Sequence, residues 1–136
     1  MNSILDIIQT RKLYEFLILY IVYINTKGQT NYNYNNAERD IEELLMDEFD
    51  NEFYLVAENY LFTEGYVQSY AASSLTPSGR NHFENWIEDF SRISDEEKQT
   101  LSNNLSERVK KFLKLSNEGI SLIKNAVDLL KLINQN

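Results

Sequence analysis

The sequence predicts a mostly α fold, and three observations carry that prediction. Apolar residues recur at spacings of three and four along much of the chain. One proline and four glycines punctuate 136 residues, which leaves little turn chemistry. After Gly65 the period changes, and Tyr66 to Tyr70 forms a short β-prone run. The length suits one domain with an appended helix, and a chain of this size buries about two-thirds of its unfolded surface. A hydrophobic content of 43% fits a globular chain.

Each element follows from its own residues. Met1 to Thr10 holds Ile4, Ile7 and Ile8, a stripe worth one or two helical turns. Arg11 to Thr26 reads as a buried helix, with Leu13, Phe16, Leu17, Tyr20, Ile21 and Ile24 in helical phase. Leu19, Val22 and Tyr23 widen its apolar face and place it centrally. Its β-branched residues lower helix propensity and keep a strand open as the alternative. Lys27-Gly28 supplies a C-terminal stop.

A polar loop, Gln29 to Asn36, leads to a second helix. Asn35 and Glu38 have the spacing of a capping box, and Ile41, Leu44 and Leu45 share a face with Glu48 or Phe49. Asp47 to Asn51 reads as a turn with Asp50 as N-cap of the third helix. That helix is expected to turn Phe53, Val56, Ala57, Tyr60 and Leu61 inwards and to end near Gly65. Ala71 to Ser74 is a small-residue turn, and Leu75 begins a return strand. Thr76-Pro77-Ser78-Gly79 then opens a fourth helix, with threonine as cap, proline at the first helical position and Phe83, Trp86, Ile87 and Phe90 as its apolar stripe. Ser94 and Glu97 form a further capping box ahead of Leu101, Leu105, Val109 and Phe112, and Ser116 to Gly119 is a break or kink.

The charge of −8 is a local property. Residues 40–79 hold nine carboxylates and no lysine or arginine. There is no cysteine, which excludes disulfides, thiolate metal sites and cysteine catalysis. The N-terminus has no signal-type pattern, and the most apolar run, Leu13 to Ile24, contains Glu15 and is shorter than the ~20 residues a membrane span needs. No membrane span and a cytoplasmic setting are the expectations.

The residues Thr63-Glu64-Gly65-Tyr66-Val67 and Leu75-Thr76-Pro77-Ser78-Gly79-Arg80 resemble the winged helix-turn-helix. In that superfamily a glycine and an apolar pair commonly follow the recognition helix, and Leu-Thr, two residues and a glycine commonly close the wing. The resemblance covers residues 11–92. It implies a three-helix core with a short β-hairpin wing in a domain over 1–92, and a C-terminal helical extension over 93–136 that packs within the chain or dimerises. The wing is only about eight residues long and carries no cation.

The resemblance implies DNA reading by Asp50 to Glu64 in the major groove. The charge opposes it, because six carboxylates from Asp47 to Glu64 repel phosphate. Nucleic acid therefore does not suit this face, unless a dimer supplies cations from Arg80, Arg92 and the tail. The favoured reading is a non-catalytic protein-interaction module: an adaptor, complex subunit or inhibitor whose partner has a basic surface. Its candidate contacts are Tyr54, Leu55, Glu58, Phe62, Asp47 and Asp50, of which Tyr54, Leu55 and Phe62 equally well pack on the first or last helix. A dimeric winged-helix transcription regulator is the first alternative. An acidic DNA mimic, of the kind found in phages or mobile elements, is the second.

Ile120, Ile123, Val127 and Leu130 form one tail stripe and Ile133 lies on an adjacent one, and this wide apolar arc favours homodimerisation over packing within the chain. The five lysines Lys110, Lys111, Lys114, Lys124 and Lys131 give that tail a cationic side that would suit a membrane surface less well than a second copy. Catalysis is not expected: His82 is the only histidine, and no phosphate loop or nucleophile elbow occurs. Asp47 to Glu58 has the length of a calcium loop, but Phe49 and Glu52 stand where a ligand and a glycine are needed. No metal or cofactor is expected.

Overall fold

The computed structural model describes residues 4–30, 32–68, 74–92, 94, 96 and 106–109. These residues are mostly helical, in the order α1 (Ile4–Thr26), α2 (Ala37–Leu45), α3 (Asn51–Thr63) and α4 (Pro77–Ser91). No strand occurs among them. The chain divides into two compact units: Thr10–Glu84, and Met1–Gln9 with Asn85–Asn136.

In the first unit α1 is the centre. Nine consecutive residues, Tyr14 to Val22, are buried, so the helix is enclosed on every side rather than along one stripe. This is why its β-branched residues are tolerated: tertiary packing outweighs propensity. The one or two turns expected within Met1 to Thr10 and the helix expected from Arg11 are one continuous helix, Ile4–Thr26. Ile24, expected in the buried stripe, is exposed. Thr26 ends α1, and Lys27 and Gly28 both take positive φ. The Gly28 N–H donates to the Tyr23 carbonyl at 2.8 Å, which satisfies a carbonyl of the last turn.

α2 starts one residue later than the capping-box spacing suggests. Asn36 is the N-cap, and its side chain makes no capping hydrogen bond. The Tyr34 hydroxyl instead donates to the Asp40 carboxylate. A 3-10 turn, Met46–Glu48, joins α2 to α3. Asp50 is the N-cap of α3 as expected: its carboxylate accepts from the N–H groups of Glu52 at 2.9 Å and Phe53 at 3.1 Å. The Asp50 N–H donates to the Tyr14 hydroxyl at 2.8 Å, which ties this corner to α1.

The core is aromatic. Tyr14 lies 6.2 Å from Phe49 and 6.1 Å from Phe53, and Phe49 lies 6.0 Å from Tyr54 (ring centroids). Phe83 of α4 meets Phe16 at 5.9 Å and Tyr23 at 4.9 Å. Ile41, Leu45, Leu61, Val67 and Leu75 are buried as well. Full burial of one such side chain contributes about 1.5–3 kcal/mol.

Between α3 and α4, Val67 and Leu75 form an isolated antiparallel bridge. The Gln68 N–H donates to the Ser74 carbonyl at 3.0 Å, and the Thr76 N–H donates to the Tyr66 carbonyl at 3.1 Å. Residues 69–73 lie outside the described residues, so the expected turn at Ala71 to Ser74 is described only at Ser74. Thr76 caps α4 by accepting from the Gly79 N–H at 2.9 Å, and its hydroxyl donates to the Gly65 carbonyl.

In the second unit the Arg92 guanidinium pairs with the Glu88 carboxylate at 2.6 Å one turn away. The Ser106 hydroxyl accepts from the Val109 N–H at 3.3 Å. Glu97, Leu101, Leu105 and Phe112, the 116–119 break, and the dimerisation candidates Ile120, Ile123, Val127, Leu130 and Ile133 lie outside the described residues, as does the side chain of Phe90.

Candidate functional site

α3 is the element on which the sequence places its candidate surface. Its buried side chains are Tyr54, Ala57 and Leu61. Its outward arc is Asn51, Glu52, Leu55, Val56, Asn59 and Thr63. Helical geometry accounts for both sets, since residues three and four apart share a face. Leu55 is 48% exposed and Val56 52% exposed, side by side on the helix. Met46, in the preceding turn, is 64% exposed.

Two assignments change. Tyr54 was expected on the surface and is fully buried, while Val56 was expected in the core and is exposed. The physical cause is a phase error of one position. Phe53 to Ala57 are five apolar or aromatic residues in succession, so two stripes 100° apart fit the same period. The phase that wins places Tyr54 against Phe49. Of the remaining candidates, Leu55, Asp47 and Asp50 are exposed, and Glu58 and Phe62 are half-buried. Asp50 is occupied as a helix cap.

The Tyr54 hydroxyl is enclosed and makes no hydrogen bond of normal geometry. Burial pushes its pKa well up; the Glu58 carboxylate one turn on adds to the shift by its charge and by accepting the phenol proton in a poorly aligned hydrogen bond, and the charge of Glu38 on α2 adds further. Glu58 is itself raised above the usual carboxylate range, first by burial and then by repulsion from Glu38, with the Tyr54 hydroxyl opposing. Neither Glu38 nor Glu58 has a cationic partner among the described residues. Arg39 pairs instead with its neighbour Asp40, at 3.7 Å.

A second titratable cluster lies between α1, α3 and α4. Glu15 is 1% exposed and meets Arg11 at 3.1 Å and Lys12 at 3.4 Å. The Arg11–Glu15 contact is an ion pair without hydrogen-bond alignment. Burial raises the Glu15 pKa against the pull of both cations. Those cations also sit over the Tyr60 ring, at 5.6 Å for Arg11 and 5.1 Å for Lys12. His82 stacks on Tyr66 at 4.2 Å and 10°, and burial and then Lys12 lower its pKa. Each charge in this cluster has its partner inside the fold, so the cluster joins helices rather than presenting a reactive group. Sequence reasoning passed over it because Glu15 reads as one carboxylate in an apolar run.

Among the described residues no three or more His, Asp or Glu side chains gather as metal ligands, and no helix is long and apolar enough to cross a membrane. Comparison with known proteins gives no match: no family model, curated relative or solved structure matches this chain.

Proposed function

We propose that this chain is a non-catalytic protein-interaction module, an adaptor, complex subunit or inhibitor, that docks a basic partner on the outward face of α3. The observation that carries the reading is the exposed pair Leu55 and Val56 within a segment of nine carboxylates and no cation. An exposed apolar pair rimmed by charge favours a partner surface. The acidic rim speeds encounter with a basic partner and disfavours an acidic one.

The winged-helix reading of residues 11–92 belongs to the same proposal. It is supported by the order α2, turn, α3, bridge, α4, and by the seating of Thr76 and Gly79 against Gly65 and Tyr66. In such a domain α3 would be the DNA-reading helix. Its outward arc offers Asn51 and Asn59 to base edges but no cation to phosphate, and phosphate contacts supply most of the affinity of such proteins.

The test is a double variant, Leu55→Asp with Val56→Asp, compared with the wild type for partner capture and for DNA binding at low salt. Capture lost in a folded variant supports the proposal. Salt-sensitive DNA binding by the wild type, with capture unchanged in the variant, would reverse it in favour of a DNA-binding regulator.

A further inference from the structure

The outward face of α3 and the C-terminal tail are opposite in charge, and each has apolar residues to cover. On α3, Leu55 and Val56 are exposed at adjacent positions, and Met46 stands exposed in the turn before the helix. Glu52 precedes Leu55 by three residues and Val56 by four, so its exposed carboxylate adjoins both. Asp47, Glu48 and Asp50 are exposed between Met46 and the start of α3. Residues 110–136 lie outside the described residues, and their sequence is the complement of this face. They hold five lysines against two carboxylates, Glu118 and Asp128, a side-chain charge of +3. Lys110, Lys111 and Lys114 fall close together, and Ile120, Ile123, Val127 and Leu130 follow at helical spacing with a second apolar stripe beside them.

We propose that the outward face of α3 takes the C-terminal tail, residues 110–133, of a second copy of this chain, and that the exchange is mutual. This names the partner in the proposed function and rests on that reading. Apolar side chains of the tail would cover Leu55, Val56 and Met46, and its lysines would face the carboxylates of Asp47, Glu48 and Glu52. Exposed ion pairs contribute little affinity, so the lysines orient the tail and speed encounter while apolar burial holds it. A stable interface buries about 1,200–2,000 Å² in total, which one contact with three exposed side chains does not reach. A two-fold pair of chains makes the contact twice. Pairing α3 directly against α3 would instead set the carboxylates of one copy against those of the other, which is unfavourable.

The chain has no cysteine, so Asn125→Cys takes a single nitroxide, at a polar position outside both apolar stripes of the tail. The experiment mixes this full-length spin-labelled copy with isotope-labelled wild type and reads paramagnetic relaxation at the wild-type amides by NMR. The expected result is signal loss at Leu55, Val56 and Asn59 that disappears on dilution, with a monomer–dimer equilibrium in sedimentation. The Leu55→Asp, Val56→Asp variant should dimerise about tenfold or more weakly. Joint reversal of Lys110, Lys111 and Lys114 to glutamate, which leaves α3 untouched, should weaken the dimer as well. A monomer at every concentration, a dimer whose signal loss falls away from α3, or loss at α3 only when nitroxide and isotope share one chain would overturn the proposal. Its failure is separable from failure of the docking reading. A monomer that captures another protein, with capture lost in the Leu55→Asp, Val56→Asp variant, discards the second copy alone. A dimer with α3 unaffected and capture unchanged in that variant discards the docking face as well.

Discussion

Gly79 packs so closely on Tyr66 that a Cβ at position 79 would lie 1.9 Å from the Tyr66 carbonyl oxygen. That oxygen also accepts the Thr76 N–H, so the start of α4 and the segment after α3 are fixed to each other through backbone. Gly79→Ala must displace one of them. We expect a loss of about 2 kcal/mol or more, the scale of overpacking a site that cannot give way. Thr76→Val should cost about 1 kcal/mol for the lost cap, with a further loss at the Gly65 carbonyl. Urea unfolding of both variants measures this.

Met46 holds φ 51 and ψ −117 at the end of α2, a conformation that favours glycine. Strain of this kind costs about 1–3 kcal/mol, and glycine returns part of the gain as unfolded-state entropy. Met46→Gly should therefore raise stability by about 1 kcal/mol in thermal unfolding. If the exposed Met46 side chain contributes to docking, the same variant weakens partner capture while it stabilises the free protein.

Tyr14 and Tyr54 have buried rings and opposite hydroxyl environments. The Tyr14 hydroxyl accepts the Asp50 N–H, and Tyr14→Phe should cost about 1 kcal/mol. The Tyr54 hydroxyl has only a poorly aligned contact with the Glu58 carboxylate to lose, and Tyr54→Phe should cost less than Tyr14→Phe. Denaturant midpoints at equal slope separate the two.

Glu58 gives a pH test. Its folded pKa is raised above the ordinary 4.5, so the native state holds its proton more tightly than the unfolded chain. The stability this contributes is fully present below pH 4.5 and is lost as pH rises through the folded value. Glu58→Gln removes that loss. The variant should gain on the wild type between pH 4.5 and 7, measured as the difference in midpoint, while it binds a cationic partner less well. Glu15 is raised in the same sense, so the variant retains some of this slope.

Local chemistry made much of the fold legible in the sequence. Asp50, Thr76, Gly28 and Gly65 mark ends that their own side chains or backbone freedom dictate, and the structure places helix boundaries at each. Asn35 was a less specific signal, because neighbouring asparagines compete for one cap and Asn36 takes it without a side-chain bond. The α3 surface was legible only in part. Leu55 stands out in either phase, whereas the exchange of Tyr54 and Val56 depends on which of two equivalent stripes finds Phe49.

The most direct measurement of the central claim is partner affinity on one defined surface. A partner captured by the wild type is purified and titrated by calorimetry against the wild type and the Leu55→Asp, Val56→Asp variant, at low and raised salt. The account predicts a partner with a basic surface, a stability change in the variant within about 0.5 kcal/mol, affinity weakened by tenfold or more, and weaker wild-type binding at raised salt. Equal affinity for the folded variant would contradict it.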